Sequence, residues 1–169
     1  DINFLVNEGQ PYFIAALNIE NNLDNNIDVN AEFLALIDKN QNNLKNMYHA
    51  AKLDEIEFDI SKILENKGIQ YYNITAFEKF NNYNADILFK ISSTQPSYVN
   101  QINISGNERT YDYVFRRELK LSEGDPINDT KIKNINRQLN RLNFIKSAKV
   151  EALIIDENSQ NIDIVIEET

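Results

Sequence analysis

Gln10-Pro11-Tyr12-Phe13-Ile14-Ala15-Ala16-Leu17-Asn18-Ile19-Glu20-Asn21-Asn22 recurs 85 residues further on as Gln95-Pro96-Ser97-Tyr98-Val99-Asn100-Gln101-Ile102-Asn103-Ile104-Ser105-Gly106-Asn107. Gln, Pro, Asn18/Asn103, Ile19/Ile104 and Asn22/Asn107 are identical, and four more positions match in aromatic or aliphatic character. Each copy enters through a proline, places apolar residues near alternate positions and closes on a Gly or Asn turn, which is the pattern of a strand. Self-similarity at a fixed separation makes the chain an array of like units.

Outward from the second copy, Val99 to Ser105 reads as strand and Thr110 to Leu121 as helix, with Thr110 expected as the N-cap. Asn128 to Leu142 gives the clearest helical pattern. Ile132, Ile135, Leu139 and Leu142 share one face at three- and four-residue steps, while Lys133, Arg137 and Arg141 form a stripe on another. Two strands follow, with Ala148, Val150, Ala152 and Ile154 in alternation, then Ile162, Ile164 and Ile166. The first unit repeats this order with Phe13 to Ile19, Ala31 to Asp38, Asp54 to Asn66, Tyr71 to Phe77 and Asp86 to Ile91. Gly68 and Asn143 stand at matching helix ends and are read as residues tolerant of left-handed geometry. The order βααββ predicts an α+β fold: in each unit, a three-stranded sheet covered on one face by two antiparallel helices. The predicted divisions are 1–8 as the last strand or linker of a preceding repeat, with Ile2, Phe4 and Val6 alternating, then 9–97 and 98–169. The first unit carries about ten extra residues around Asn40 to Lys52.

Charge and composition narrow the function. The formal net charge is −9, with −7 before Tyr98 and −2 after it, so nucleic acid is not expected as a partner. Absence of cysteine removes disulfides, thiolate metal sites and cysteine nucleophiles together. No run of about 18 apolar residues occurs to form a membrane-spanning helix. A chain opening on Asp1-Ile2-Asn3 reads as cut from a longer one, so a missing signal peptide carries no information about compartment. Asn-rich stretches such as Asn40-Gln41-Asn42-Asn43 fall in loops and on solvent faces, as codon bias would place them. The four glycines, Gly9, Gly68, Gly106 and Gly124, stand apart, which leaves no phosphate-binding loop. His49 is the only histidine and has no evident metal partner. Acidic pairs such as Asp54-Glu55 and Glu167-Glu168 read as solvated. No enzyme activity, metal or cofactor is expected.

Four blocks in order carry a resemblance: Ile102-Asn103-Ile104-Ser105-Gly106-Asn107-Glu108-Arg109-Thr110, Val114-Phe115-Arg116-Arg117-Glu118-Leu119, Glu123-Gly124-Asp125-Pro126 and Leu139-Asn140-Arg141-Leu142-Asn143-Phe144. They resemble the membrane-proximal POTRA domain of BamA-type outer-membrane assembly factors. Asn7-Glu8-Gly9-Gln10, Asn22 and Lys62 to Ile69 extend a weaker resemblance into the first unit. Two departures are Asn143, where the family usually has glycine, and the Asn40 to Lys52 insertion. The resemblance implies a periplasmic portion of an outer-membrane protein. Its implied partners are accessory assembly lipoproteins, unfolded outer-membrane β-barrel proteins and its own C-terminal barrel. The alternative is a structural POTRA module of a two-partner secretion transporter or a cell-division protein. Barrel strands encoded beyond Thr169 would discriminate the two.

Within that frame Arg116, Arg117 and Glu123 are the expected partner-binding charges. Gly124 and Pro126 should break the helices and leave Glu123 on the surface, where substitution is expected to cost less than about 0.5 kcal/mol. The resemblance places the second strand of each unit, Tyr71 to Ala76 and Ala148 to Ile154, at a sheet edge. Ala148, Val150 and Ala152 are therefore the expected substrate edge, open to main-chain pairing with an extended peptide. The two units are expected to be monomeric and alike in fold.

Overall fold

A computed structural model of the chain describes residues 10–24, 27–41 and 47–169. The expected strand from Asp1 to Asn7, the motif up to Gly9 and residues 42–46 of the insertion lie outside these residues. The element order is β1 (Phe13–Asn22), α1 (Asn30–Gln41), α2 (Ala50–Asn66), β2 (Tyr72–Asn81), β3 (Asn84–Ser93), β4 (Tyr98–Ser105), α3 (Asp112–Leu119), α4 (Asp129–Leu139), β5 (Ile145–Asp156) and β6 (Ser159–Glu168). This is βααββ twice, with sheet orders β1-β3-β2 and β4-β6-β5. By backbone proximity the second of two compact units takes in Leu64–Asn73 together with Ser92–Thr169.

In the first repeat, Ala85, Ile87, Phe89 and Ile91 alternate into the interior from β3, while Leu53, Ile56 and Ile60 bury one stripe of α2. The insertion lengthens both helices: α1 runs to Gln41 and α2 starts at Ala50. His49 lies just before α2, and its Nδ1 accepts a hydrogen bond from the Lys52 amide at 3.0 Å. It therefore satisfies one of the amides that a helix start leaves without a partner.

In the second repeat β6 is the central strand, parallel to β4 and antiparallel to β5. Val99, Ile102, Ala148, Ile162, Ile164 and Ile166 face Phe115, Leu119, Ile135 and Leu139 of the two helices in one apolar cluster. Ile132 and Leu142 pack at its margin. Fully burying a side chain of this size contributes roughly 1.5–3 kcal/mol, so this cluster dominates the stability of the repeat. The opposite face of the sheet stays uncovered, as exposed Leu153, Ile155 and Val165 show.

Three local expectations are corrected. Thr110 does not cap α3; the cap position is Tyr111, without a side-chain cap bond. The Arg109 and Thr110 amides instead donate to the Glu168 carboxylate at 2.7 and 2.9 Å, so β6 satisfies this turn from outside. The helix expected to run to Leu142 ends at Leu139. The Arg141 and Leu142 amides turn back three residues to Gln138 and Leu139, a tighter turn that releases the Asn140 side chain toward β5. Finally, Gly68 has φ +77° but Asn143 is not left-handed, because the last turn has already tightened before it. Asn128 is the cap of α4, its side chain accepting from the Lys131 amide at 2.8 Å.

Candidate functional site

Arg116 sits one turn inside the end of α3, and its guanidinium is used on three sides. Nε donates to Asp112 Oδ2 at 2.7 Å, Nη1 to Glu123 Oε1 at 2.9 Å and Nη2 to the Ile102 carbonyl at 2.8 Å. Glu123 Oε1 also accepts from the Ile102 amide at 3.3 Å. The expected surface position of Glu123 is found, with 46% of its side chain exposed, yet its carboxylate is already engaged. Its own backbone amide, then Arg116, hold that carboxyl below the usual carboxylate range. Asp112 and then Glu123 push the guanidinium further up. Arg117 does not join them: its side chain is 72% exposed and reaches Glu118 at 3.4 Å.

Together the two charges grip both main-chain groups of Ile102, as a neighbouring strand would. The connector between α3 and α4 continues that contact along β4. Val99 donates to the Asp125 carbonyl at 2.9 Å, Gly124 donates to Val99 at 2.7 Å, and Ile127 donates to Ser97 at 2.9 Å. Gly124 has φ +90°, which lets the loop turn onto the strand. A register shift between Val99 and Gln101 allows Val99 and Ile102 both to face the connector despite a spacing of three. The first repeat repeats the arrangement at equivalent positions. Phe13 is bridged antiparallel to Met47 as Tyr98 is to Pro126, and the Leu17 carbonyl accepts Gln41 Nε2 at 3.0 Å where Ile102 accepts Arg116. In both repeats the outer edge of the first strand is met by a residue leading into the second helix, Met47 or Pro126, and by long polar side chains, Gln41 in the first and Arg116 with Glu123 in the second.

β5 lies at the other edge of its sheet, as expected. Ala148 is buried, and its main chain is not open. Its amide donates to Asn140 Oδ1 at 2.9 Å and its carbonyl accepts from Asn140 Nδ2 at 2.8 Å. Val150 and Ala152 share its side of the pleat, and their side chains pack at the margin of the core. Asn140 and Asp112 escaped the sequence reading because a polar residue in a last or first helical turn has the same pattern whether solvated or bonded. Among the described residues no group of three His, Cys, Asp or Glu side chains is arranged to hold a metal ion.

Residues 97–169 match the family model described as POTRA, surface antigen variable number repeat. The outer membrane protein assembly factor BamA of Nitratidesulfovibrio vulgaris is 24% identical over 98% of this chain and 21% of its own length. BamA of Neorickettsia risticii is 27% identical over 72% of this chain and 17% of its own. The chain thus spans about a fifth of the curated relatives it matches. The crystal structure of Haemophilus influenzae BamA POTRA3-5 superposes with a TM-score of 0.52 over 93% of this chain and 61% of that one, at 17% identity, and shares the fold. Residues 97–169 are thus similar to the POTRA family, and most of the chain is similar in sequence to BamA-type outer-membrane assembly factors.

Proposed function

We propose that this chain is a periplasmic module of an outer-membrane β-barrel assembly factor, built from POTRA units at 9–97 and 98–169. It holds an accessory lipoprotein through the charged surface around Arg116, Arg117 and Glu123, and lends a sheet edge to segments of unfolded barrel proteins. Strand addition relies on main-chain hydrogen bonds, so it tolerates many client sequences, which suits an assembly factor with varied clients. The observation that carries the reading is the asymmetry of the second sheet: β4 is covered by its own connector, whereas β5 is bonded from outside at Ala148 by Asn140.

Ala152→Pro tests it. Proline removes the outward amide at Ala152, and edge strands tolerate proline where the lost amide faces solvent. Binding of a denatured outer-membrane barrel protein to the chain should fall sharply while the circular dichroism spectrum stays unchanged. Undiminished binding would remove β5 from the mechanism.

A further inference from the structure

The second sheet ends in two strands that face outward differently. On β4 and at the residue leading into it, the outward groups of Ser97, Val99 and Ile102 are bonded by Ile127, Asp125, Gly124, Arg116 and Glu123. On β5 the Asn140 carboxamide both donates to and accepts from Ala148, the same pair of bonds that one residue of an added strand would make. The pairing of β5 with β6 runs without interruption from Ser147↔Glu167 to Ile154↔Gln160. In an antiparallel ladder, residues of like parity turn their main chain the same way. Since Ala148 turns outward, Val150, Ala152 and Ile154 do too.

We infer that strand addition to the second repeat is confined to Val150–Ile154 of β5, and that Asn140 fixes its register by occupying the first outward position. This rests on the strand-addition reading above and adds where the strand lies and what stops it. Side chains state the partner's chemistry. On the uncovered face β5 presents Lys149 and Glu151, ion-paired at 2.6 Å, with Lys149 opposite Val165 of β6, and then Leu153 and Ile155, exposed at 49% and 54%. Ile154, on the other face, is 78% exposed. An extended segment gains by setting aliphatic or aromatic side chains at alternate positions against Leu153 and Ile155 and polar ones toward Glu151. Amphipathic strands of alternating polarity have that composition.

The probe is a synthetic peptide of alternating valine and threonine carrying a nitroxide at one end, titrated into the whole chain with amide resonances as the readout. In wild type, broadening and shift changes should span Val150 to Ile154 and leave Ala148 and β4 unaffected. Asn140→Ala should extend the footprint to Ala148 and tighten binding about five- to thirtyfold, the worth of one or two net hydrogen bonds. Asn140→Asp, which keeps the acceptor for the Ala148 amide and loses the donor, should fall between them and guards against misfolding of the alanine variant. A wild-type footprint that covers Ala148 or β4, or an unchanged footprint in both Asn140 variants, overturns the inference while leaving strand addition intact. No peptide binding to any variant, or binding indifferent to Ala152→Pro, overturns strand addition itself. Concentration-dependent self-association without peptide, abolished by Ala152→Pro, would assign the edge to a second copy of the chain and overturn the partner proposed here.

Discussion

Replacing Gly106 by alanine places a methyl carbon 2.0 Å from the Ile166 carbonyl oxygen and 3.1 Å from its carbon, on a backbone held at φ +82°. Two costs follow, and Gly124 separates them. At Gly124, with φ +90°, an added Cβ meets nothing within 4 Å, so only the left-handed penalty of roughly 1–2 kcal/mol applies. At Gly106 the same penalty is joined by a contact with main chain, which cannot swing aside as a side chain can. Relief requires the end of β4 to move away from β6 by more than an ångström. That motion weakens the last rung, Ser105 against Val165, and strains the turn that Glu168 holds through Arg109 and Thr110. Losing two or three net hydrogen bonds adds about 2–3 kcal/mol, for a total of about 3–5 kcal/mol. Small domains have about 5–15 kcal/mol in all, so the second repeat becomes marginal. Urea unfolding followed through resonances of Phe115 and Ile164 should show Gly106→Ala losing two to three times as much as Gly124→Ala. Equal losses would mean that β4 and β6 do not approach so closely, and the argument from steric contact would fail.

Asn128→Ala removes the cap of α4 and should cost about 1 kcal/mol, read as a lower unfolding midpoint for the second repeat; a midpoint unchanged from wild type would show that solvent caps the helix equally well. Glu123→Lys, expected from sequence to be nearly neutral, should cost about 1 kcal/mol or more, since it leaves the Ile102 amide without its acceptor and sets a like charge beside Arg116. The same residue confers a pH dependence: its carboxyl is depressed in the folded chain, so its stabilisation is complete above the unfolded value of about 4.3 and is lost as pH falls through the folded one. Thermal melts of wild type and Glu123→Gln should therefore converge as pH drops below about 4, and a gap that stays constant with pH would deny Glu123 its part.

Periodicity carried most of the fold. Apolar residues at two- and at three- to four-residue steps, carried from the second unit to the first by the repeat, placed the ten elements of the described residues, because burial is what those periods report. The repeat located both sheets, and Gly106, Gly68 and Gly124 adopt the positive φ that turns require. Cap identity was less legible. Thr110 has the right chemistry for an N-cap, but Glu168, 58 residues away, supplies the acceptor instead. The candidate site divided in the same way. Gly124 and Pro126 announced the loop and Glu123 its exposure, whereas the grip on Ile102 depends on a bulge in β4 that no period records. Edge closure at Met47 and at Asn140 belongs to the same class: the first is made by main chain and the second by a polar side chain at a helix end, and the partners of both are set by tertiary geometry alone.

The bridge between Tyr98 and Pro126 also bears on how the second repeat assembles. Without it, parallel pairing of β4 with β6 must close a loop from Tyr98 to Ser159 in one step, while β5 and β6 are joined by a tight turn. Pro126 lies near the midpoint of that loop. Loop-closure entropy rises only as the logarithm of length, so halving the free segment lowers the cost by about 0.6 kcal/mol. The connector thus acts as an entropic stepping-stone, holding the first strand near its helices until the β5–β6 hairpin arrives to complete the sheet.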